Sequence, residues 1–269
     1  MNPLKNVPDK LNRQSLAGKL YVLGNAALVI VMGVLVLIPW LGHPGLTVIA
    51  AGPLLLFMAG FLIWGVPKLL AFSRSQFGTM PVVVVSALLA PISLGFSRLF
   101  VGALLQLPAQ SFDVTVALFS VLFIPIGWGV VVGVILLLAC LVLIFGTMTS
   151  AHIRPIVGIF ALNPAGWLAR ALGRVEATER TISNHAAGAF VVAIAILLLS
   201  GFYAATILNP TGARLAAYLF DFSLADKYPG IQPGQRIRLL DNGYVAYAER
   251  HGFDVQFDVK PLALPDKPK

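Results

Sequence analysis

The chain has 269 residues, of which 58% are hydrophobic and 11% are charged, whereas soluble domains carry about 25% charged residues. This composition excludes an ordinary water-soluble domain and makes lipid the expected solvent. The net charge of +8 is spread over the N-terminus, the loops and the tail, so no segment is dense enough in charge to bind phosphate and no nucleic-acid partner is expected.

The N-terminal segment, residues 1–20, is polar and basic and is predicted to be cytoplasmic. The apolar run that follows is about as long as a full membrane span and has no small-residue cleavage site after it. We therefore expect this run to stay in place as a first anchor rather than to be removed as a signal peptide.

Five apolar stretches are long enough to cross a bilayer, which takes about 20 helical residues. The sequence predicts an all-α membrane helical bundle over 21–208, with about five transmembrane helices. The predicted spans are 21–41, 46–67, 82–103, a stretch within 114–147, and 186–208.

The stretch 114–147 has three interpretations, because its 34 uncharged residues exceed one ordinary span and Pro125 and Gly129 interrupt them. One kinked and tilted helix is the first interpretation. The alternatives are a re-entrant segment followed by a span, and a tight hairpin of two spans. The hairpin would place the following arginine-rich loop outside, against the charge rule for membrane proteins.

Lysine and arginine alternate from loop to loop, and this pattern predicts the orientation. They are present in 1–20, absent after span one, present after span two, absent after span three and present in 149–185. The N-terminus and the 149–185 loop are therefore expected in the cytoplasm, with the tail on the opposite side of a bacterial inner membrane. A reporter fusion placing the tail in the cytoplasm would overturn this five-span arrangement.

The cytoplasmic loop is predicted to contain an amphipathic helix at 164–183, which begins at Asn163-Pro164. Its apolar stripe includes Trp167, while Arg170 and Arg174 lie on another face. This pattern favours a helix in the headgroup layer with its arginines facing anionic lipid. A cytosolic helix packed on the bundle is the alternative.

The tail, 209–269, changes from helical to strand periodicity. A second surface helix is expected at 213–224, followed by three strands at 235–240, 244–249 and 253–259 that form an antiparallel β-meander outside the bilayer. Asp241-Asn242-Gly243 is a strong hairpin signal and His251-Gly252 a weaker one. The apolar face of this meander needs a cover: the 213–224 helix, the membrane surface or another protein.

No hydrolytic, nucleotide-binding or metal motif is present. His152 and His185 lie at the cytoplasmic ends of spans four and five, where they could bracket a haem or a metal, but histidines at span ends are usually interface polarity. The lone Cys140 lies in an apolar run and is expected to be packing. No catalytic, cofactor or metal residue is therefore predicted.

Three positions within the spans are candidates for interaction. Arg98 is the one charge at plausible bilayer depth, and we expect either an anchor to the outer headgroups or a site for an anionic group. Gly129 and Gly133 have the spacing of close helix packing. Prolines at 53, 91 and 125 interrupt spans two, three and four and could frame a cavity.

These features favour a non-catalytic accessory or assembly component of a membrane complex, which binds a membrane-protein partner or a second copy of itself. The interaction candidates are Arg98, Gly129, Gly133, Trp167, Arg170 and Arg174. A transporter or lipid-handling protein with a cavity between kinked helices is the alternative. A membrane-embedded enzyme at the cytoplasmic interface is the third reading.

Overall fold

The structure is a computed structural model that describes residues 14–37, 43–160, 166–224, 234–241 and 243–262. Within these ranges, the side chains at 35–37, 43–48, 150–160 and 166–180 are outside the description. The structure therefore does not describe most side chains of the predicted amphipathic helix at 164–183, nor most side chains of the 149–185 loop.

Five long helices and one short helix make up most of the described chain, and a small sheet follows them. The helices are α1 (Leu16–Leu37), α2 (His43–Ser73), α3 (Gln76–Leu105), α4 (Asp113–Phe160), α5 (Gly166–Ile207) and α6 (Pro210–Phe220), with a 3-10 turn at Ala109–Ser111. The strands are β1 (Ser223–Leu224), β2 (Arg236–Leu240), β3 (Tyr244–His251) and β4 (Asp254–Pro261).

The predicted fold class is confirmed, because α1 to α5 are each long and apolar enough to cross a membrane and the C-terminal sheet is antiparallel. Only 11% to 22% of each candidate span is buried inside the protein. The large apolar surface left on the five helices requires lipid as its solvent, so the chain is a multi-pass membrane protein.

The stretch 114–147 is part of one continuous helix, α4, which confirms the single helix of the first interpretation and makes the re-entrant and hairpin alternatives wrong. Pro125 lies inside this helix. At about 1.5 Å per residue, its 48 residues exceed the roughly 30 Å of a bilayer core. The helix must therefore tilt in the membrane or extend beyond it.

Helix boundaries differ from the predicted spans because helices continue through polar residues after the apolar run has ended. α1 begins at Leu16 rather than at 21, and the loop predicted after span two shrinks to Arg74 and Ser75. The Ser75 hydroxyl accepts a hydrogen bond from the Gly78 amide at 3.2 Å, which caps the start of α3. Likewise, the segment predicted as a separate loop helix continues without a break into the fifth span within α5.

The three predicted strands of the tail are confirmed, and a fourth short strand, β1, precedes them. The sheet order is β1-β2-β3-β4. The predicted helix at 213–224 is displaced: α6 begins at Pro210, where Asn209 caps it, and ends at Phe220. β1 occupies the last two residues of the predicted helix because they pair with Arg236 and Ile237 of β2.

The chain divides into two compact units, residues 1–80 with 131–197, and residues 81–130 with 198–269. The first unit contains α1, α2 and large parts of α4 and α5. The second unit contains most of α3, the start of α4, α6 and the sheet. One face of the sheet is covered within the second unit by α6 and by the ends of α3 and α4, through a core that includes Val101, Phe112, Ala217, Phe222, Ala246 and Val255.

Candidate functional site

A cluster of aromatic and polar side chains joins α1, α2 and α5 in the first unit. The Tyr21 hydroxyl and the His185 Nδ1 atom are hydrogen-bonded at 2.9 Å. The Trp64 ring stacks on the imidazole, with centroids 3.9 Å apart, and the Lys68 Nζ atom lies 4.0 Å from the centroid of Trp64. Both members of the hydrogen bond are buried, with Tyr21 3% and His185 9% exposed.

Local sequence explains how each helix contributes to this aromatic cluster. Trp64 and Lys68 are four residues apart on α2 and therefore share one face. A Cβ atom on Gly60 would lie 2.9 Å from the Tyr21 ring, and one on Gly188 would lie 2.7 Å from the Phe61 Cβ atom. The two glycines thus permit the close helix packing that brings the tyrosine and the histidine together.

The His185 side chain is held by contacts with Tyr21 and Trp64. Its Nδ1 atom faces the tyrosine hydroxyl, and one ring face is covered by the indole. His185 was a candidate together with His152 for a haem or metal site, and the side chain of His152 lies outside the described residues. Within the described part of the chain, no three His, Cys, Asp or Glu side chains lie close enough together to hold a metal ion.

Adding a methyl group at Gly188 is expected to destabilise the first unit. In the Gly188→Ala variant the new Cβ atom would meet the backbone oxygen of Phe57 at 2.9 Å and the Phe61 Cβ atom at 2.7 Å, so the helices must separate. We expect a loss of about 1 to 3 kcal/mol, measured by unfolding in mixed detergent micelles. Gly201→Ala on the same helix, where no atom lies within 4 Å, is the control. An equal effect of both variants would contradict the packing argument.

The second unit has a buried carboxylate at the start of α4. Asp221 is 4% exposed, and its two oxygens accept hydrogen bonds from the Val114 amide at 3.2 Å and the Thr115 amide at 2.9 Å. The Thr115 hydroxyl also donates to it. Asp221 therefore caps a helix that begins 108 residues earlier in the chain, and its negative charge is favoured at a helix N-terminus. The cap joins the segment that leads from α6 into the C-terminal sheet to the start of α4.

Cationic side chains of the sheet hold the end of α6 in the same unit. The Arg236 Nη1 atom donates to the Tyr218 carbonyl oxygen at 2.7 Å, and its guanidinium lies 4.5 Å from the Tyr218 ring centroid. The Arg238 Nη1 atom donates to the Asp221 carbonyl oxygen at 3.3 Å. The arginines of β2 thus satisfy the last carbonyl groups of α6 and fix the helix against the sheet.

The outer edge of β4 is the main feature of this unit without a partner. β4 pairs with β3 on one side, and no strand in the described part of the chain pairs with the other. The Leu262 amide donates to the Gly243 oxygen at 2.9 Å, so the even-numbered residues of β4 direct their backbone groups to β3. The backbone groups of Val255, Phe257 and Val259 consequently point to the open edge.

The interaction candidates of the sequence belong to both units, Arg98 and Gly129 to the second and the other four to the first. Arg98 is exposed on α3, next to Ser97, whose hydroxyl donates to the Val116 oxygen at 2.6 Å. Gly133 is buried, and its Cβ would lie 2.8 Å from Leu197 of the same chain, whereas Gly129 is half-buried. The backbones of Trp167, Arg170 and Arg174 lie in the first turns of α5, and their side chains are outside the described residues.

Sequence reasoning missed Asp221, Tyr21 and Trp64. In the sequence, Asp221 lies within the predicted surface helix at 213–224, where an acidic residue is ordinary. Tyr21 and Trp64 lie near the ends of predicted spans, where aromatic residues are common. The one available signal for Asp221 was that a helix start at Asp113 leaves its first backbone amides without partners inside the helix, which a side chain from elsewhere can cap.

No family model, no curated protein and no solved structure matches this chain. The fold therefore defines its class: a multi-pass membrane protein whose described part has five apolar helices and a small C-terminal antiparallel sheet.

Proposed function

We propose that this protein is a non-catalytic component of a membrane complex and that it joins its protein partner through the open edge of β4. The single observation that carries this proposal is the row of backbone groups along Val255, Phe257 and Val259, which point away from β3 and which no strand in the described part of the chain pairs. Such a row is a template for an added strand, because each N–H and C=O group can extend the ladder of the sheet.

The rest of the sheet supports this role for β4. β1 covers part of the edge of β2 with two residues, and the inner face of the sheet is covered by α6. β4 is eight residues long, which is sufficient for a continuous ladder. Natural proteins block unwanted pairing with proline and lysine, and here Lys260 and Pro261 lie only at the C-terminal end of the strand.

The orientation that supports the proposal follows from the charged loops. Residues 1–20 and the 149–185 segment each carry four Lys or Arg residues, whereas the connections after spans one and three carry none. The first two segments therefore lie in the cytoplasm of a bacterial cell, and the tail lies on the outer side of the inner membrane. The bilayer itself is then the first partner of the five helices. In this orientation, the sheet recruits a partner outside the cytoplasm.

The test is a proline at the open edge. In the Val259→Pro variant the lost amide is one that points away from β3, so the sheet keeps its internal ladder while the edge loses a donor. Val259 is 41% exposed, and Val259→Ala is the matched control. We expect affinity purification after gentle extraction to recover a stoichiometric protein partner with the native chain and with Val259→Ala, and to lose it with Val259→Pro.

Two results would contradict the proposal. Recovery of the partner at an equal level with Val259→Pro would exclude the edge as the contact. Recovery of no protein partner with the native chain, either another protein or a second copy, would exclude the accessory role.

A further inference from the structure

We infer that the occupant of the β4 edge is β4 of a second copy of this chain, paired antiparallel about Phe257. This inference rests on the proposed function and names its partner. It is carried by three independent features of the strand: the direction of its backbone groups, the placement of its charges and the position of the membrane helices relative to its two faces.

The backbone groups favour pairing centred on Phe257. In that register Phe257 lies opposite Phe257 of the second copy, and Val255 lies opposite Val259. All three residues direct their N–H and C=O groups to the open edge, so every amide that points outward finds a carbonyl on the other strand. Pro261, which has no N–H group, lies at the end of the pairing and interrupts nothing.

Charges on the outer face favour the same register. Asp254 lies opposite Lys260 of the second copy, and the pair occurs twice because the arrangement is two-fold symmetric. Lys260 already pairs with Asp258 of its own strand at 2.8 Å, so it would lie between two carboxylates. Centring the pairing one residue later would place Asp258 opposite Asp258, and one residue earlier would place Asp254 opposite Asp258. Both alternatives oppose like charges.

Apolar residues on the inner face also gain partners. Val259 and Phe253 are 41% and 73% exposed. In the register centred on Phe257, Val259 lies opposite Val255, and Phe253 lies opposite Pro261. Val259 thereby gains a branched side chain as its cross-strand neighbour, which favours the pairing.

The two-fold axis of such a pair is compatible with a single membrane. Opposite residues in an antiparallel pair share one face of the sheet, so the covered inner faces of both copies lie on the same side of the joined sheet. That face packs on α6 and on the ends of α3 and α4 in each copy. Both sets of helices would therefore enter the same bilayer from the same side, and an axis along the membrane normal is the symmetry that two copies in one membrane require.

The experiment is disulfide cross-linking of full-length chains in their native membrane. Cys140 is replaced by serine, and two differently tagged variants, Gln256→Cys and Asp258→Cys, are expressed together. In the proposed register, Gln256 of one copy lies opposite Asp258 of the other in a pair without direct backbone bonds, where the Cα atoms are about 4.5 Å apart and a disulfide can form. We expect mild oxidation to produce the mixed dimer, and each variant alone to produce little dimer.

Each other pattern overturns the inference. A dimer from Asp258→Cys alone or from Gln256→Cys alone would show a different register, and no cross-link in any combination would show that β4 does not pair with itself. If the copies do not cross-link while Val259→Pro still removes another protein, this inference is wrong and the proposed function stands.

A charge exchange separates disrupted pairing from disrupted folding. In the cross-linking pair, Asp254→Lys and Lys260→Asp should each lower the mixed dimer by about tenfold, because two opposite-charge contacts become like-charge contacts. The double variant, Asp254→Lys with Lys260→Asp, restores both contacts in exchanged form and should recover most of the dimer. Lack of recovery in a double variant that folds like the native chain would overturn the charge pairing.

Discussion

Replacing Asp221 with alanine is expected to release the start of α4 from the C-terminal sheet and to lower the free energy of unfolding of the second unit by roughly 3 kcal/mol. The variant leaves the Val114 amide, the Thr115 amide and the Thr115 hydroxyl without their acceptor. Because Thr115 is fully buried, water does not replace the lost acceptor, and the cost is that of unpaired donors rather than of one exchanged hydrogen bond.

The measurement is amide hydrogen exchange at Val114 and Thr115, together with unfolding of the purified protein. A loss of roughly 3 kcal/mol should raise the hydrogen-exchange rates of these two amides by roughly 100-fold if they exchange through opening of the cap. Asp221→Asn keeps one acceptor oxygen but loses the charge, so we expect an intermediate loss of about 1.5 kcal/mol.

The matched control for this cap is Asp241→Asn, which changes an exposed carboxylate in a turn of the same sheet. It should leave the exchange at Val114 and Thr115 unchanged. An effect of Asp221→Ala no larger than that of the control would show that the carboxylate does not join the sheet to α4.

The parts of the fold that the sequence predicts correctly are those set by local composition. Spans were found because membrane thickness fixes how many apolar residues a helix needs. The three long strands were found because alternation and the glycine turns at Gly243 and Gly252, both with positive φ, are visible within a few residues. The continuity of α4 through Pro125 was favoured by the charge rule rather than by periodicity.

The remainder depends on contacts between residues far apart in the chain. Tyr21 and His185 are 164 positions apart, and nothing near either residue indicates the other. Strand β1 was missed because two residues carry no periodic signal, and its pairing with β2 decides which edge stays open. A meander of three strands would expose the edges of both β2 and β4. The fourth strand covers part of one and leaves β4 as the edge available to a partner.

Replacing Tyr21 with alanine is expected to give the largest loss in the first unit, roughly 3 kcal/mol, because it removes a buried ring between α1 and α2 and leaves His185 without its partner. The expected loss is in the lower part of the range measured for such large-to-small changes in the cores of soluble proteins. Lipid surrounds these helices, and it solvates newly exposed apolar groups better than water does. Tyr21→Phe keeps the ring and its contact with Phe57 but removes the hydroxyl.

The difference between these two variants separates ring packing from hydrogen bonding. Hydrogen bonds between membrane helices contribute about 0.6 kcal/mol on average, so Tyr21→Phe should cost much less than Tyr21→Ala when both are unfolded in mixed micelles. Val29→Ala is the control, because Val29 lies on the same helix and is 72% exposed. If Tyr21→Phe destabilised the protein as much as Tyr21→Ala, the bond to His185 rather than the packing of the ring would hold α1 to its neighbours, and the imidazole would be the centre of this cluster.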